Sequence, residues 1–207
     1  MAGALAVAPA TAKADEVFFS GNTSTSTFSN GATTLLQLVY TPSTFSGTTL
    51  GGHLSIGSTA ASNFNNLGVM SLALCPTGTS PACVYTGNQF NLRVTFTAPA
   101  GITGGQTKTY VANLTGTVDG SATNGGVDII FTNPTQTYTF NNGNGTTGSF
   151  TFTVNNLSIN PGDQVSVTGF ITSATQTTVT PEPASMALMG TGLLGLGVGA
   201  VRRRNKK

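Results

Sequence analysis

The sequence contains no tryptophan, a single histidine, two cysteines and only 7% charged residues, where a soluble globular domain averages about 25%. Each shortage excludes something. A serine or cysteine nucleophile needs a neighbouring base, yet His53 is the sole histidine and no serine sits in a G-x-S-x-G turn. Glycoside hydrolysis needs paired carboxylates, and the expected folded region supplies only Asp119, Asp128 and Asp163, in no pattern that specifies a cleft. The chain therefore reads as a non-enzyme with no cofactor. Across 15–180 the bases Arg93 and Lys108 face the acids Asp15, Glu16, Asp119, Asp128 and Asp163, a net charge of −3 that offers nucleic-acid phosphates no basic patch. The pI near 8.7 comes from the last six residues, which hold five of the eight bases. No long amphipathic helix and no fixed-period repeat is encoded.

What is present is strand chemistry. Gly, Ser, Thr and Asn occupy the positions that charges normally fill, so solubility must come from hydroxyls and amides. All sixteen aromatics, twelve Phe and four Tyr, precede residue 180, which argues against disorder. In "QFNLRVTFT" Phe90, Leu92, Val94 and Phe96 alternate with polar residues, as a strand with one wet face requires. "SFTFTV" places Phe150, Phe152 and Val154 on one face, with Leu157 and Ile159 continuing the burial after Asn155 and Asn156; "TYVANLTGTV" does the same with Tyr110, Ala112, Leu114 and Val118. Further strands are expected at 17–20, 34–40, 53–56, 68–74, 127–132, 136–140 and 164–172, about ten in all, separated by Asn-Gly, Asp-Gly and Pro-Gly-Asp turns. These features predict an all-β, antiparallel two-sheet β-sandwich, jelly-roll-like, over 15–173, followed by a Thr- and Pro-rich linker over 174–183.

The two ends read as addresses. Residues 1–14 are small and apolar and close on Ala12, Lys13 and Ala14, a signal-peptidase pattern with the cut expected between Ala14 and Asp15. Residues 184–201 carry no charge and as a helix would reach about 27 Å, enough to span a bilayer's hydrocarbon. Five glycines would weaken such a helix in water, but a membrane enforces internal hydrogen bonding. The basic cluster over 202–207 then holds the C-terminus in the cytoplasm and the body outside. "GTGLLG" at 190–195 has the spacing of a dinucleotide fingerprint but lacks the preceding strand and the βαβ unit.

Pro181, Glu182 and Pro183, then a Gly- and Leu-rich apolar span, then Arg202, Arg203 and Arg204 with Lys206 and Lys207, resemble the PEP-CTERM sorting signal of bacterial surface and exopolysaccharide-associated proteins. The resemblance covers about the last 27 residues. It implies an exosortase, a membrane-embedded transpeptidase, as partner, exopolysaccharide as surroundings, and a cell-surface or extracellular location after transient anchoring. Two prolines suit that role because they keep the backbone extended and out of a helix.

Three smaller signals concern the body. Cys75 and Cys83 bracket "PTGTSPA", and in an exported chain a disulfide closing this loop is the expected outcome. No metal site is expected; the weak candidate is calcium at Asp119, Ser121, Thr123 and Asp128 in "DGSATNGGVD", which lacks the acidic pattern of an EF-hand and equally suits a hairpin turn. An alternative reading, a carbohydrate-binding module on the same anchor, requires two or three exposed coplanar aromatics among Tyr40, Tyr85, Tyr110 and Tyr138.

Overall fold

The computed structural model describes residues 11–14 (backbone only), 16–57, 65–76, 83–120 and 125–179. Among them every regular element is a strand. In chain order these are β1 (Thr11–Ala14), β2 (Phe18–Asn22), β3 (Thr27–Phe28), β4 (Thr34–Leu35), β5 (Leu38–Thr41) and β6 (Thr44–Thr48). Next come β7 (Leu54–Ile56), β8 (Val69–Leu72), β9 (Cys83–Val84), β10 (Gln89–Ala98), β11 (Thr107–Val118) and β12 (Gly125–Phe131). The last are β13 (Thr135–Asn141), β14 (Thr146–Val154), β15 (Leu157–Ile159), β16 (Gln164–Ser166) and β17 (Gly169–Val179).

All pairings are antiparallel, but they form three hydrogen-bonded sheets where two were expected. The large sheet runs β15-β12-β11-β10-β2-β6, with β3 and β9 added to β10 and β11; the tail sheet runs β1-β17-β14-β13, with β7 on β17; a small sheet runs β16-β8-β5-β4. The third sheet arises because two expected strands break. At 34–40 the chain turns back at Leu36 and Gln37, with Leu36 in the left-handed region at φ 53°, so that Leu35 pairs with Leu38. No Asn-Gly or Asp-Gly advertises that turn. At 164–172 the break after Ser166 sends β16 to the small sheet and β17 to the tail sheet. Asn155 and Asn156 make a similar transfer: Asn156 Oδ1 accepts from Phe131 N at 2.8 Å and Asn155 Nδ2 donates to Thr168 Oγ1 at 2.9 Å, so Leu157 and Ile159 join β12 and not β14.

One core unites the three sheets. The alternating positions of β10, β11 and β14 are buried as their pattern predicts: Phe90, Leu92, Val94, Phe96, Tyr110, Ala112, Phe150 and Phe152 are all at most 1% exposed. Phe96, on the large sheet, meets Phe150 and Phe152 of the tail sheet edge-on, with ring centroids 5.2 and 5.5 Å apart. Such pairs contribute about 0.5–1.5 kcal/mol each beyond their buried area. Gly116 interrupts the inward row of β11 for a steric reason. At φ 128°, a Cβ there would lie 2.0 Å from the Gly126 carbonyl oxygen of the neighbouring strand.

Candidate functional site

The tail leaves the body directly from a sheet. β17 continues to Val179, so the first six residues of the expected 174–183 linker are strand, paired with β14 through Thr178 and with β1 through Val179. The misreading has a physical source: "ATQTTV" has no large apolar residue, yet Thr and Val favour a pleated surface and Ala174 is buried. Pro181, Glu182 and Pro183, the apolar span 184–201 and Arg202, Arg203 and Arg204 lie outside the described residues. No helix among the described residues is long and apolar enough to cross a membrane.

The other end meets the same strand. β1 places Ala14 opposite Gln176 and Thr11 opposite Val179, so the last four residues of the expected 1–14 leader form a strand of the tail sheet in the full chain. Asp15, the expected first residue after the cut, lies outside the described residues. Removal of 1–14 would leave the backbone of 176–179 unpaired on that side, immediately ahead of the sorting triplet.

Cys75 and Cys83 form the expected disulfide, with Cα atoms 6.0 Å apart. It ties the chain leaving β8 to β9 at the margin of the large sheet. Of the calcium constellation, Asp119 and Asp128 are described, and they stand apart. Asp128 lies opposite Thr115, while Asp119 follows Val118 at the end of the ladder; four residues of strand put the two backbones about 13 Å apart, too far for both carboxylates to bind one ion directly. Asp128 Oδ1 instead accepts from Ser158 Oγ at 2.5 Å. Ser121 and Thr123 lie outside the described residues. Among the described residues no three His, Cys, Asp or Glu side chains converge as a metal would need. His53 is exposed in the turn bridging Leu50.

The tyrosines are core residues, so the exposed platform that a carbohydrate-binding module was expected to show among them is absent. Tyr40, Tyr85, Tyr110 and Tyr138 are all at most 3% exposed. Each phenol finds an internal partner, as a buried hydroxyl must. Tyr40 Oη lies 2.7 Å from Thr23 Oγ1 and close to the Leu67 carbonyl, Tyr85 Oη accepts from Gln37 N at 3.2 Å, and the Tyr110 and Tyr138 hydroxyls bond to each other between the sheets. Burial, offset in part by the Thr23 and Ser26 hydroxyls, pushes the Tyr40 phenol up to about 12. Burial does the same for Tyr138, to about 12, against a lowering by its bond to Tyr110. It raises Tyr110 further still, reinforced by the neighbouring Tyr138 phenol.

Two surfaces escaped the sequence reading. The outward face of the tail sheet is paved with hydroxyls paired across strands: Thr135 with Thr153 at 3.0 Å, Thr137 with Thr151 at 3.2 Å, Ser149 with Thr175 at 3.4 Å. The second is a groove of about 420 Å³ between the large and tail sheets, lined by Glu16, Phe18, Thr48, Asn142, Thr146 and Gln176, with Pro99 and Ala100 of the β10–β11 loop. Phe18, 55% exposed, is the one exposed aromatic among the described residues. A signal for it did exist. Consecutive phenylalanines in a strand point to opposite faces, and Phe19 is fully buried.

No curated protein and no solved structure matches the chain. A family model does match its end, over residues 179–204, beginning at the last residue of β17. The match is to the PEP-CTERM protein-sorting motif, so the chain carries a PEP-CTERM sorting signal, which implies export and membrane-associated sorting by an exosortase.

Proposed function

We propose that the body is a non-enzymatic surface or matrix protein, held briefly in the membrane by residues 184–201 and then cut near Pro181, Glu182 and Pro183, so that it works among exopolysaccharide outside the cell. The observation that carries this reading is the sorting motif itself, starting where the last strand of an all-β body ends. The body's chemistry supports it: hydroxyl ladders hydrate a surface without charge, and the Cys75–Cys83 disulfide suits an oxidising compartment. In this reading the two larger sheets form a jelly-roll-like sandwich.

The test acts on the tail. Glu182→Ala, and separately deletion of 202–207, should leave full-length protein in the membrane fraction, whereas the unaltered chain yields a shortened body. Intact masses of the cell-bound and released forms locate the cut. Processing that proceeds equally in both variants would remove the sorting role.

A further inference from the structure

We propose that the groove between the large and tail sheets binds a neutral glycan, with Phe18 as the stacking surface. A pyranose presents an apolar C–H face and a rim of hydroxyls, and the groove offers the complement to both. Phe18 supplies an exposed ring beside its register partner Thr48. Around it stand a carboxylate, Glu16, and two amides, Asn142 and Gln176, which between them accept and donate hydrogen bonds as sugar hydroxyls require. The Oδ1 of Asn142 already accepts from Asn144 N at 3.0 Å and Thr146 N at 3.2 Å, so its NH₂ group is the end left for a ligand. The volume falls in the range of ordinary ligand clefts.

The walls are pre-formed, which lowers the ordering cost of binding. The loop that carries Pro99 and Ala100 is zipped to the edge of β13: Asn141 N donates to Gly101 O at 3.0 Å and Thr103 N to Thr139 O at 2.8 Å. Gly101, at φ 74°, approaches so closely that a Cβ would sit 1.9 Å from the Asn141 carbonyl oxygen. A larger groove of about 650 Å³ beside Ser20, Asn22 and Asn65 lacks these properties. Its aromatic, Phe45, is buried, and its hydroxyls bond to one another, as Ser20 and Thr97 do at 2.8 Å.

Charge selects the class of polymer. Among the described residues no cation lines the Phe18 groove, and Glu16 would repel the carboxylates or sulfates of an acidic polysaccharide. The ligand is therefore a neutral polymer. This deepens the exopolysaccharide part of the proposed function and rests on it only for where the glycan is met.

The experiment is affinity electrophoresis of the full chain, in a zwitterionic detergent without a sugar headgroup, through gels containing neutral glucan, mannan or galactan, or anionic alginate. At least one neutral polymer should retard the protein and alginate should not. Phe18→Ala should weaken retardation about tenfold or more, the scale expected for one aromatic contact. Phe170→Ala, at a partly buried ring elsewhere on the tail sheet, should leave it unchanged. Because Phe18 is exposed, its variant should keep the parent's urea midpoint. Retardation by no neutral polymer, equal retardation of Phe18→Ala and parent, or retardation by alginate alone overturns the site. Retardation of the full chain together with a tail that stays uncut in cells sinks the sorting role alone, and a chain that is cut in cells but ignores every glycan sinks the groove alone.

Discussion

Raising the pH should unfold this protein through its tyrosines. Burial pushes Tyr40 and Tyr138 up to about 12 in the folded state and Tyr110 higher still, whereas an unfolded tyrosine titrates near 10. A raised folded value leaves stability intact below about pH 10 and removes it as the pH climbs from there through the folded values, because only the unfolded chain releases its protons in that window. One unit above the unfolded value each of these phenols contributes about 1.4 kcal/mol of lost stability, so the three cost about 4 kcal/mol at pH 11, and Tyr85, also raised by burial, adds to the loss. That is a large share of a typical domain's margin of about 5–15 kcal/mol. Urea unfolding followed by far-ultraviolet circular dichroism at pH 8 and pH 11 measures the difference, and phenolate absorbance should rise together with the loss of strand signal. The double variant Tyr110→Phe with Tyr138→Phe keeps both rings and removes both partners of one hydrogen bond, a change that is close to neutral for stability at pH 8. It should reduce the alkaline loss by about 3 kcal/mol and leave the part due to Tyr40 and Tyr85. An unchanged loss in the double variant, or phenolate appearing near pH 10 in protein that is still folded, would refute the assignment of the effect to these buried hydroxyls.

Two further outcomes follow from the body. Reducing the Cys75–Cys83 disulfide or replacing both cysteines by alanine should lower stability by roughly 2.5 kcal/mol, the loop-closure value for about nine residues, read as a shift in urea midpoint with an unchanged slope. Gly116→Ala should cost about 3 kcal/mol or more, since it combines φ 128° with a 2.0 Å approach to the Gly126 carbonyl. A loss under about 1 kcal/mol would show that β11 and β12 can move apart there.

Much of the strand content was legible because alternation is a local property. Phe90, Leu92, Val94 and Phe96 declare a common face wherever the strand lies, and all four are fully buried. The sheet count was not legible, because it turned on two breaks with weak local signatures: the left-handed Leu36 and the interruption after Ser166. The six residues 174–179 read as linker in the sequence because their pairing depends on β14 and β1, one about 30 residues away and the other at the far end of the chain. Sequence alone leaves the tyrosines open as exposed platforms, yet a phenol can be buried wherever a partner waits, and the partners Thr23, Gln37 and Tyr138 come from other strands and turns.

By itself the amino-acid order determined the sorting address, the export-compatible cysteine pair and the alternation that makes the body all strand. These depend on residue type at short spacing, which needs no folded neighbour to be read. Only the tertiary structure decided that Phe19 goes inward and leaves Phe18 at the mouth of a groove, that Asp119 and Asp128 stand apart, and that the tail springs from a paired strand. Those outcomes come from which distant segments share a ladder, and pairing between strands is a long-range choice made by the packing of the whole core.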